Sequence, residues 1–184
     1  PAFAGEVRGH SGELAGDEFI LSTPGRIAAT PSIAATGDGF VLAWAQADDE
    51  SREIGFDIFA RSFNASGLPT TPALRINSHQ YGDQFSPSVA TAGGTELIVW
   101  TSLGQDGSRE GVFGQFLMGG NKVGGEFRVN STTPSRQIYP RAISRGADSF
   151  LAFWSSYVGS PRDFEVVGQR YALTLPMAPT PVVS

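Results

Sequence analysis

Acidic residues and arginines occur side by side in three polar segments, each of which follows an apolar run that ends in tryptophan. Carboxylates together with backbone carbonyls can supply the roughly six to eight oxygen ligands that Ca²⁺ takes. Two carboxylates in one loop could also serve as a general acid and base. None of the segments has the ligand spacing of a defined calcium motif, so exposed, solvated charged loops are the alternative interpretation. The candidate calcium ligands are Asp48, Asp49, Asp106 and Asp163, and the neighbouring arginines are Arg52, Arg109 and Arg162.

Aromatic and amide side chains form a second candidate group, in two segments that each lead into a proline. Rings that stack on a sugar, combined with groups that hydrogen-bond its hydroxyls, suit carbohydrate recognition. The alternative is that the two glutamines of this group satisfy backbone groups between neighbouring sheets. The candidate ligand-binding residues are Tyr81, Gln84, Phe85, Arg136, Gln137 and Tyr139, together with the arginines of the acidic segments, Arg52, Arg109 and Arg162.

Nucleophilic and thiol chemistry receive no support from the sequence. There is no cysteine, which excludes disulfides, thiol catalysis and zinc–cysteine sites. The two histidines, His10 and His79, lie in dissimilar contexts without a serine elbow or a matched acid, so a catalytic triad is not predicted.

The chain repeats one pattern three times: a proline-led run, a glycine turn, and an apolar run that ends in tryptophan. Successive tryptophans are 56 and 54 residues apart, and a fixed period of about 50 residues indicates a repeat architecture. One tryptophan at the same strand position of every repeat is typical of packing between sheets, so these side chains are predicted to be core. The prolines are Pro31, Pro87 and Pro140, and the tryptophans are Trp44, Trp100 and Trp154.

Each repeat holds four short runs with strand character. The third runs are 57–63, 111–117 and 165–171, and the fourth are 74–77 and 127–130, with a weaker match at 19–22. Four antiparallel strands in about 50 residues, repeated, form the unit of a β-propeller blade. The sequence thus predicts an all-β, propeller-like array of about three and a half four-stranded antiparallel blades in a single domain. Its parts are a half-blade at 1–22 and blades at 31–77, 87–130 and 140–184, the last with an irregular end.

Alternating strand direction places the loops after the second and fourth runs at the same end of the sheets. These loops are long and polar, whereas the turns at the other end are short. Binding residues concentrate on loops that a rigid scaffold positions, so this loop face is the predicted functional surface. Its segments are 47–55, 102–111, 156–164, 23–30, 78–86 and 131–139.

Composition limits the classes of function. A chain of 184 residues with 40% hydrophobic and 17% charged residues predicts a soluble globular protein, and no apolar run is long enough to cross a membrane. The net charge of −5 would repel nucleic acid. Because the chain starts at Pro1 without a leader, we interpret it as a piece of a longer, exported precursor.

With the repeat laid out in this way, the order PSVA, LIVW, GVFGQ and FRVN over residues 87–130 resembles the sialidase-type (Asp-box) propeller blade. The runs Gln-x-x-Pro, at 84–87 and 137–140, and Gln-Asp-Gly-Ser, at 105–108, are similar to blade modules of large secreted bacterial proteins, including hemolysin-type calcium-dependent adhesins. The segment closest to an Asp box, 62–69, has Asn64 in place of the aspartate and no tryptophan. Because the sialidase arginine cluster, tyrosine nucleophile and acidic partner match no positions, no catalytic residue is carried over from the family.

The predicted function is a non-catalytic binding or structural module, secreted or on the cell surface, with the periplasm as the alternative location. Its loop face is expected to bind a glycan, a protein or a neighbouring subunit. The alternative is a fragment of a propeller glycosidase or polysaccharide lyase acting on acidic sugars. Ca²⁺ is the one cofactor that the acidic loops could hold. The half-blade predicts an open N-terminal edge that docks on a neighbouring chain or on further blades, so that the chain does not work as an isolated monomer.

Overall fold

The computed structural model describes residues 18–22, 25–47, 55–157, 159 and 163–173. Short apolar runs separated by glycine turns form strands, and each run that ends in tryptophan becomes the second strand of its sheet. The described residues contain no helix of the length and hydropathy that a membrane span requires. The strands are β1 Ile27–Ala35, β2 Gly39–Ala47, β3 Phe56–Asn64, β4 Leu74–Arg75, β5 Gln84–Ala92, β6 Thr95–Leu103, β7 Glu110–Met118, β8 Asn121–Arg128, β9 Gln137–Ser144, β10 Ser149–Tyr157 and β11 Phe164–Ala172.

The strands form three antiparallel sheets in chain order. The first sheet is β1-β2-β3-β4, the second is β5-β6-β7-β8, and the third is β9-β10-β11. The first strands of the sheets, β1, β5 and β9, lie next to one another and are the inner strands of the array. The prediction of an all-β, propeller-like array of antiparallel blades is confirmed.

The fourth runs differ from the prediction in their bounds. Strand β4 ends at Arg75 because the side chain of Asn77 bonds to β3: its Oδ1 accepts from the N–H of Ile58 at 2.7 Å. Strand β8 begins earlier than predicted, at Asn121, because Gly119 and Gly120 adopt positive φ and make a tight turn directly after β7. Residues 19–22 form no strand. Residues 1–17 of the proposed half-blade, and the proposed irregular end at 175–181, lie outside the described residues.

The three sheets pack face to face through apolar clusters. Trp100 belongs to the cluster between the first and second sheets, and Trp154 to the cluster between the second and third. Trp44 lies on the opposite side of the first sheet, in a cluster with Phe63 to which Leu21 adds. The three indoles are 2%, 0% and 4% exposed in chain order, so the prediction that the tryptophans are core is confirmed.

Each inner strand contains a bulge directly before its proline. Thr30, Ser86 and Tyr139 have φ of 49°, 51° and 57°, and the pairing register of all three strands shifts at these residues. A bulge inserts one residue and turns the side chains that follow it. After the bulge, the Oγ of Ser32 accepts from the N–H of Val89 at 3.1 Å in the next sheet. The same contact recurs one sheet on, from the N–H of Ala142 to the Oγ of Ser88 at 2.9 Å.

A buried carboxyl lies at the short-turn end, between the first and second sheets. Glu96 is 7% exposed, and its Oε2 has no hydrogen-bond partner. Burial raises the pKa of Glu96, because desolvation penalises the charged form. The cavity beside it, of about 190 Å³, is lined by the two turns that follow β1 and β5.

Replacing Glu96 by glutamine is expected to stabilise the protein at pH 7 by about 1 kcal/mol, because it removes a buried charge with an unfilled acceptor. With a folded-state pKa above the unfolded one, the carboxyl stabilises the fold at low pH and loses that contribution as pH rises through the folded value. The stabilisation caused by Glu96→Gln should therefore vanish near pH 4. Urea unfolding at pH 7 and pH 4 measures the change in the free energy of unfolding, with Glu165→Gln on exposed β11 as the control. An unchanged free energy of unfolding at pH 7 would contradict the prediction.

Candidate functional site

The loops that follow the second and fourth strands meet at one end of the sheets. The Oδ1 of Asp83 accepts from the N–H of Phe56 at 3.1 Å, and its carbonyl accepts from the N–H of Leu103 at 2.9 Å. One sheet further, the carbonyl of Arg136 accepts from the N–H of Tyr157 at 2.8 Å. The loops after β4 and β8 are thus each hydrogen-bonded to the end of the second strand of the next sheet. This is the arrangement that the alternation of strand direction predicts.

A cleft opens at this end, between the loops of the second sheet and the strand ends of the third. Its volume is about 320 Å³, at the low end for small-molecule sites. We call it the arginine cleft. Its lining residues are Arg109, Ser135, Arg136, Tyr157 and Phe164.

Two loops hold the arginines in place. The Oγ of Ser108 accepts from the N–H of Ser135 at 3.0 Å and ties the loop before β7 to the loop after β8. Ser135 has a φ of 72°, so the chain turns sharply just before Arg136. The Nε of Arg136 lies 3.4 Å from the Oε2 of Glu110, which is an ion pair without hydrogen-bond geometry. Pairing through Nε leaves the terminal guanidinium nitrogens for another ligand.

Tyr157 and Phe164 supply the aromatic side of the cleft. They are directly opposed in the β10–β11 register, and their ring centroids are 5.6 Å apart at an interplanar angle of 69°. Phe164 is 46% exposed. The same register position is Ala47 opposite Phe56 in the first sheet and Leu103 opposite Glu110 in the second. The double aromatic pair belongs to the third repeat alone among the described sheets.

The lining residues combine planar cations with ring faces. Guanidinium groups bind carboxylates through two parallel N–H···O bonds, which fixes the ligand in orientation as well as in place. Aromatic rings beside them offer apolar area to the carbon face of a sugar ring, and hydroxyls such as that of Ser135 accept or donate. The cleft is therefore suited to hold a small anionic ligand that also has an apolar face.

The structure corrects the interpretation of Gln84 and Gln137 as ligand-binding residues. Both side chains are fully buried. The Oε1 of Gln84 accepts from the Nε1 of Trp100 at 3.1 Å, and its Nε2 donates to the carbonyl of Tyr81 at 3.3 Å. The Nε2 of Gln137 donates to the carbonyl of Pro134 at 3.0 Å. Both amides satisfy backbone carbonyls, as in the alternative interpretation, but these carbonyls lie in the loops directly before β5 and β9 and not between neighbouring sheets.

The predicted aromatic residues lie apart from the arginine cleft. Tyr81 is 81% exposed and meets His79 edge to face, with ring centroids 6.0 Å apart. Tyr139 is 57% exposed on the inner strand β9, and Phe85 is half-buried on the inner strand β5. Of the predicted ligand-binding residues in the described part of the chain, the structure brings Arg109 and Arg136 together.

The acidic candidates for calcium are dispersed where they are described. Asp106 accepts from the N–H of Ser108 at 3.1 Å and from the Nδ2 of Asn130 at 3.4 Å. Asp163 is exposed at the start of β11. Among the described residues no group of three or more acidic, histidine or cysteine side chains could hold a metal ion. Asp48, Asp49, Arg52 and Arg162 lie outside them, and the calcium hypothesis stays a prediction.

Comparison with known proteins assigns no family to this chain. No protein-family model matches the sequence, and no curated protein matches it. Among solved structures, the chain is similar to the crystal structure of a thermostable family-43 glycoside hydrolase, at 12% identity and a TM-score of 0.49. The match covers 82% of this chain and 56% of the hydrolase, so the chain spans little more than half of that structure's length.

Proposed function

We propose that this protein is a carbohydrate-binding module whose arginine cleft holds an acidic sugar residue of a glycan chain. The observation that carries the proposal is the convergence of Arg109 and Arg136 with the ring pair Tyr157 and Phe164 in one cleft. A volume of about 320 Å³ suits one small unit of a longer chain rather than an enclosed oligosaccharide.

The chemistry of the cleft favours a sugar that carries a carboxylate. In the described part of the chain, two guanidinium groups face one ion-pair partner, Glu110, and at 3.4 Å that partner forms no hydrogen bond. A uronic acid joins a planar carboxylate, which Arg binds in bidentate fashion, to a ring that can stack on an aromatic side chain. Overall charge of −5 disfavours binding of an anion through net charge alone, so the local pair of arginines must supply the attraction.

We place the module outside the cell. The motif resemblance to blades of secreted bacterial proteins supports this location. Binding of Ca²⁺ by the acidic loops that include Asp48 and Asp49 is part of the proposal. Chelator and millimolar Ca²⁺ are therefore compared in each binding measurement.

Calorimetric titration with an oligogalacturonate and with a neutral oligosaccharide of equal length tests the proposal. We expect the acidic chain to bind and the neutral chain to bind at least about tenfold more weakly, since each charge-assisted pair contributes on the order of 1.5 kcal/mol. Arg109→Ala should lower the affinity for the acidic chain by about tenfold. Arg109→Lys should recover only part of that affinity, because lysine lacks the planar guanidinium that binds a carboxylate through two hydrogen bonds.

The matched control is Arg145→Ala, an exposed arginine in the turn between β9 and β10, at the other end of the sheet. Its affinity should equal that of the wild type. Equal affinity of Arg109→Ala and wild type would refute the assignment of the cleft. Release of new reducing ends or of unsaturated products from the acidic chain would show the alternative function, a glycosidase or lyase.

A further inference from the structure

The sheets meet through one repeated set of positions, which the strand registers define. In the first sheet, Ser32 pairs with Ala43, which pairs with Ala60, and this row faces the second sheet. The corresponding row of the second sheet, Ser88, Val99 and Gly114, faces the third. In both rows the residues that face the next sheet, among them Ala43, Ala60 and Val99, are buried.

The third sheet carries the same rows on the side turned away from the second sheet, and there they are less buried. Phe153 corresponds to buried Val99 and Leu151 to buried Leu97, and both are half-buried. Val166, which corresponds to the fully buried Val112, is 80% exposed. We call this side the tail face, formed by half-buried Leu151 and Phe153 and by exposed Ile143 and Val166. A contiguous apolar sheet face that is accessible to solvent marks a site of interaction.

Two arginines distinguish the tail face from the faces that are already packed. Arg141 occupies the repeat position of Ser32 and Ser88, which accept a hydrogen bond from the next sheet. Arg170 occupies the repeat position of Phe116 in the second sheet. No aspartate or glutamate occupies the outward positions of β9, β10 and β11, which alternate with the buried ones. Two tail faces placed together would oppose four arginines without acids, which disfavours a symmetric tail-to-tail contact.

The other end of the array offers a complementary face. Ile33 on β1 corresponds to the buried Val89 and Ala142, which contact the preceding inner strand, yet Ile33 is 59% exposed. Phe19 nearby is 62% exposed, and it lines a pocket of about 260 Å³ together with Trp44. We call this the head face. Glu18, which is exposed beside Phe19, gives it an acid that the tail face lacks.

We infer that two copies of this chain form a closed head-to-tail dimer, in which the tail face of each copy docks on the head face of the other. The contact continues the sheet-on-sheet packing that already joins the three sheets. On the head face it covers Ile33 and Phe19, because Trp44 is already buried together with Phe63 and Leu21. Two copies would bring six described sheets together, and propellers close with about four to eight. The contact places the arginines of one copy against the acid of the other, which sets the orientation of the pair.

Analytical ultracentrifugation of the full chain tests the dimer. We expect the mass to rise from 19.5 kDa to twice that value over the micromolar range. Val166→Glu on the tail face and Ile33→Lys on the head face should each raise the dissociation constant at least tenfold, because each buries a charge of the same sign as the opposite face, which costs well over the roughly 1.4 kcal/mol that a tenfold change represents. Val123→Glu, at a valine that is 46% exposed on β8, is the matched control and should leave the dimer unchanged.

Mixing the two interface variants decides the orientation. Ile33→Lys retains a functional tail face and Val166→Glu a functional head face, so an equimolar mixture should form a dimer that neither variant forms alone. Undiminished dimerisation of Ile33→Lys would show tail-to-tail contact and overturn the head-to-tail proposal. A wild-type chain that stays at 19.5 kDa throughout the concentration range would overturn the dimer itself. Circular dichroism of each variant confirms that it is folded.

Discussion

Trp100→Ala is expected to destabilise the protein by about 3–5 kcal/mol, the usual cost of emptying a site filled by a buried aromatic side chain. Trp100 is fully buried between the first and second sheets, in contact with the cluster that includes Val41, Ile58 and Ile98. The substitution also leaves the Oε1 of buried Gln84 without its indole donor, which adds an unsatisfied acceptor to the cavity. Because a fold of this size is stable by only about 5–15 kcal/mol, the variant should lose a large part of its stability.

Equilibrium unfolding in urea measures this effect. Leu103→Ala, on the same strand but 40% exposed, is the control and should cost less than about 1 kcal/mol. Trp100→Phe should lie between the two, because it keeps most of the volume and loses only the hydrogen bond to Gln84. A loss below about 1 kcal/mol for Trp100→Ala would contradict the sheet-on-sheet core.

The repeat made the architecture predictable from sequence, because local signals agree at each level. Proline marks where each inner strand bends, glycine marks the hairpin turns, and one tryptophan per repeat marks the face on which sheets pack. The outer strands were less predictable. Asn77 ends β4 by bonding through its side chain to the backbone of β3, and propensity carries no signal for such a tertiary contact.

The site was predictable only in part. Strand alternation located the loop face, and Arg109 and Arg136 lie in two of its predicted segments. Their proximity depends on the hydrogen bond between Ser108 and Ser135, which are 27 residues apart in the sequence. Tyr157 and Phe164 lie in the predicted loop segment 156–164, but they were not among the candidate ligand-binding residues, and the structure places them at the ends of β10 and β11 as lining residues of the cleft. The signal that could have found them is the comparison of repeats at one register position, where the third repeat alone has two rings. The glutamines were misread because burial between loop and core is not visible in composition.

Asn130→Ala is expected to destabilise the protein by about 2–3 kcal/mol and also to weaken binding of the acidic glycan. Asn130 is 2% exposed, and its Oδ1 accepts from the N–H of Val112 at 2.7 Å, a backbone group that alanine would leave unpaired inside the fold. Its Nδ2 donates to the carbonyl of Thr132 at 2.8 Å and so anchors the start of the loop that carries Arg136. Loss of that anchor should let the loop sample other conformations, so ligand binding must then supply the cost of ordering it.

The chain provides its own control, because Asn77 makes the same contacts one repeat earlier. Its Oδ1 accepts from the N–H of Ile58 at 2.7 Å and its Nδ2 donates to the carbonyl of His79 at 2.7 Å. Asn77→Ala should therefore cost a similar 2–3 kcal/mol in urea unfolding, since the buried groups left unpaired are the same. It should leave the affinity for oligogalacturonate unchanged, because the loop it anchors does not line the arginine cleft. Equal loss of affinity in both variants would show that binding responds to global stability, and unchanged affinity in Asn130→Ala would show that the loop holds Arg136 without this anchor.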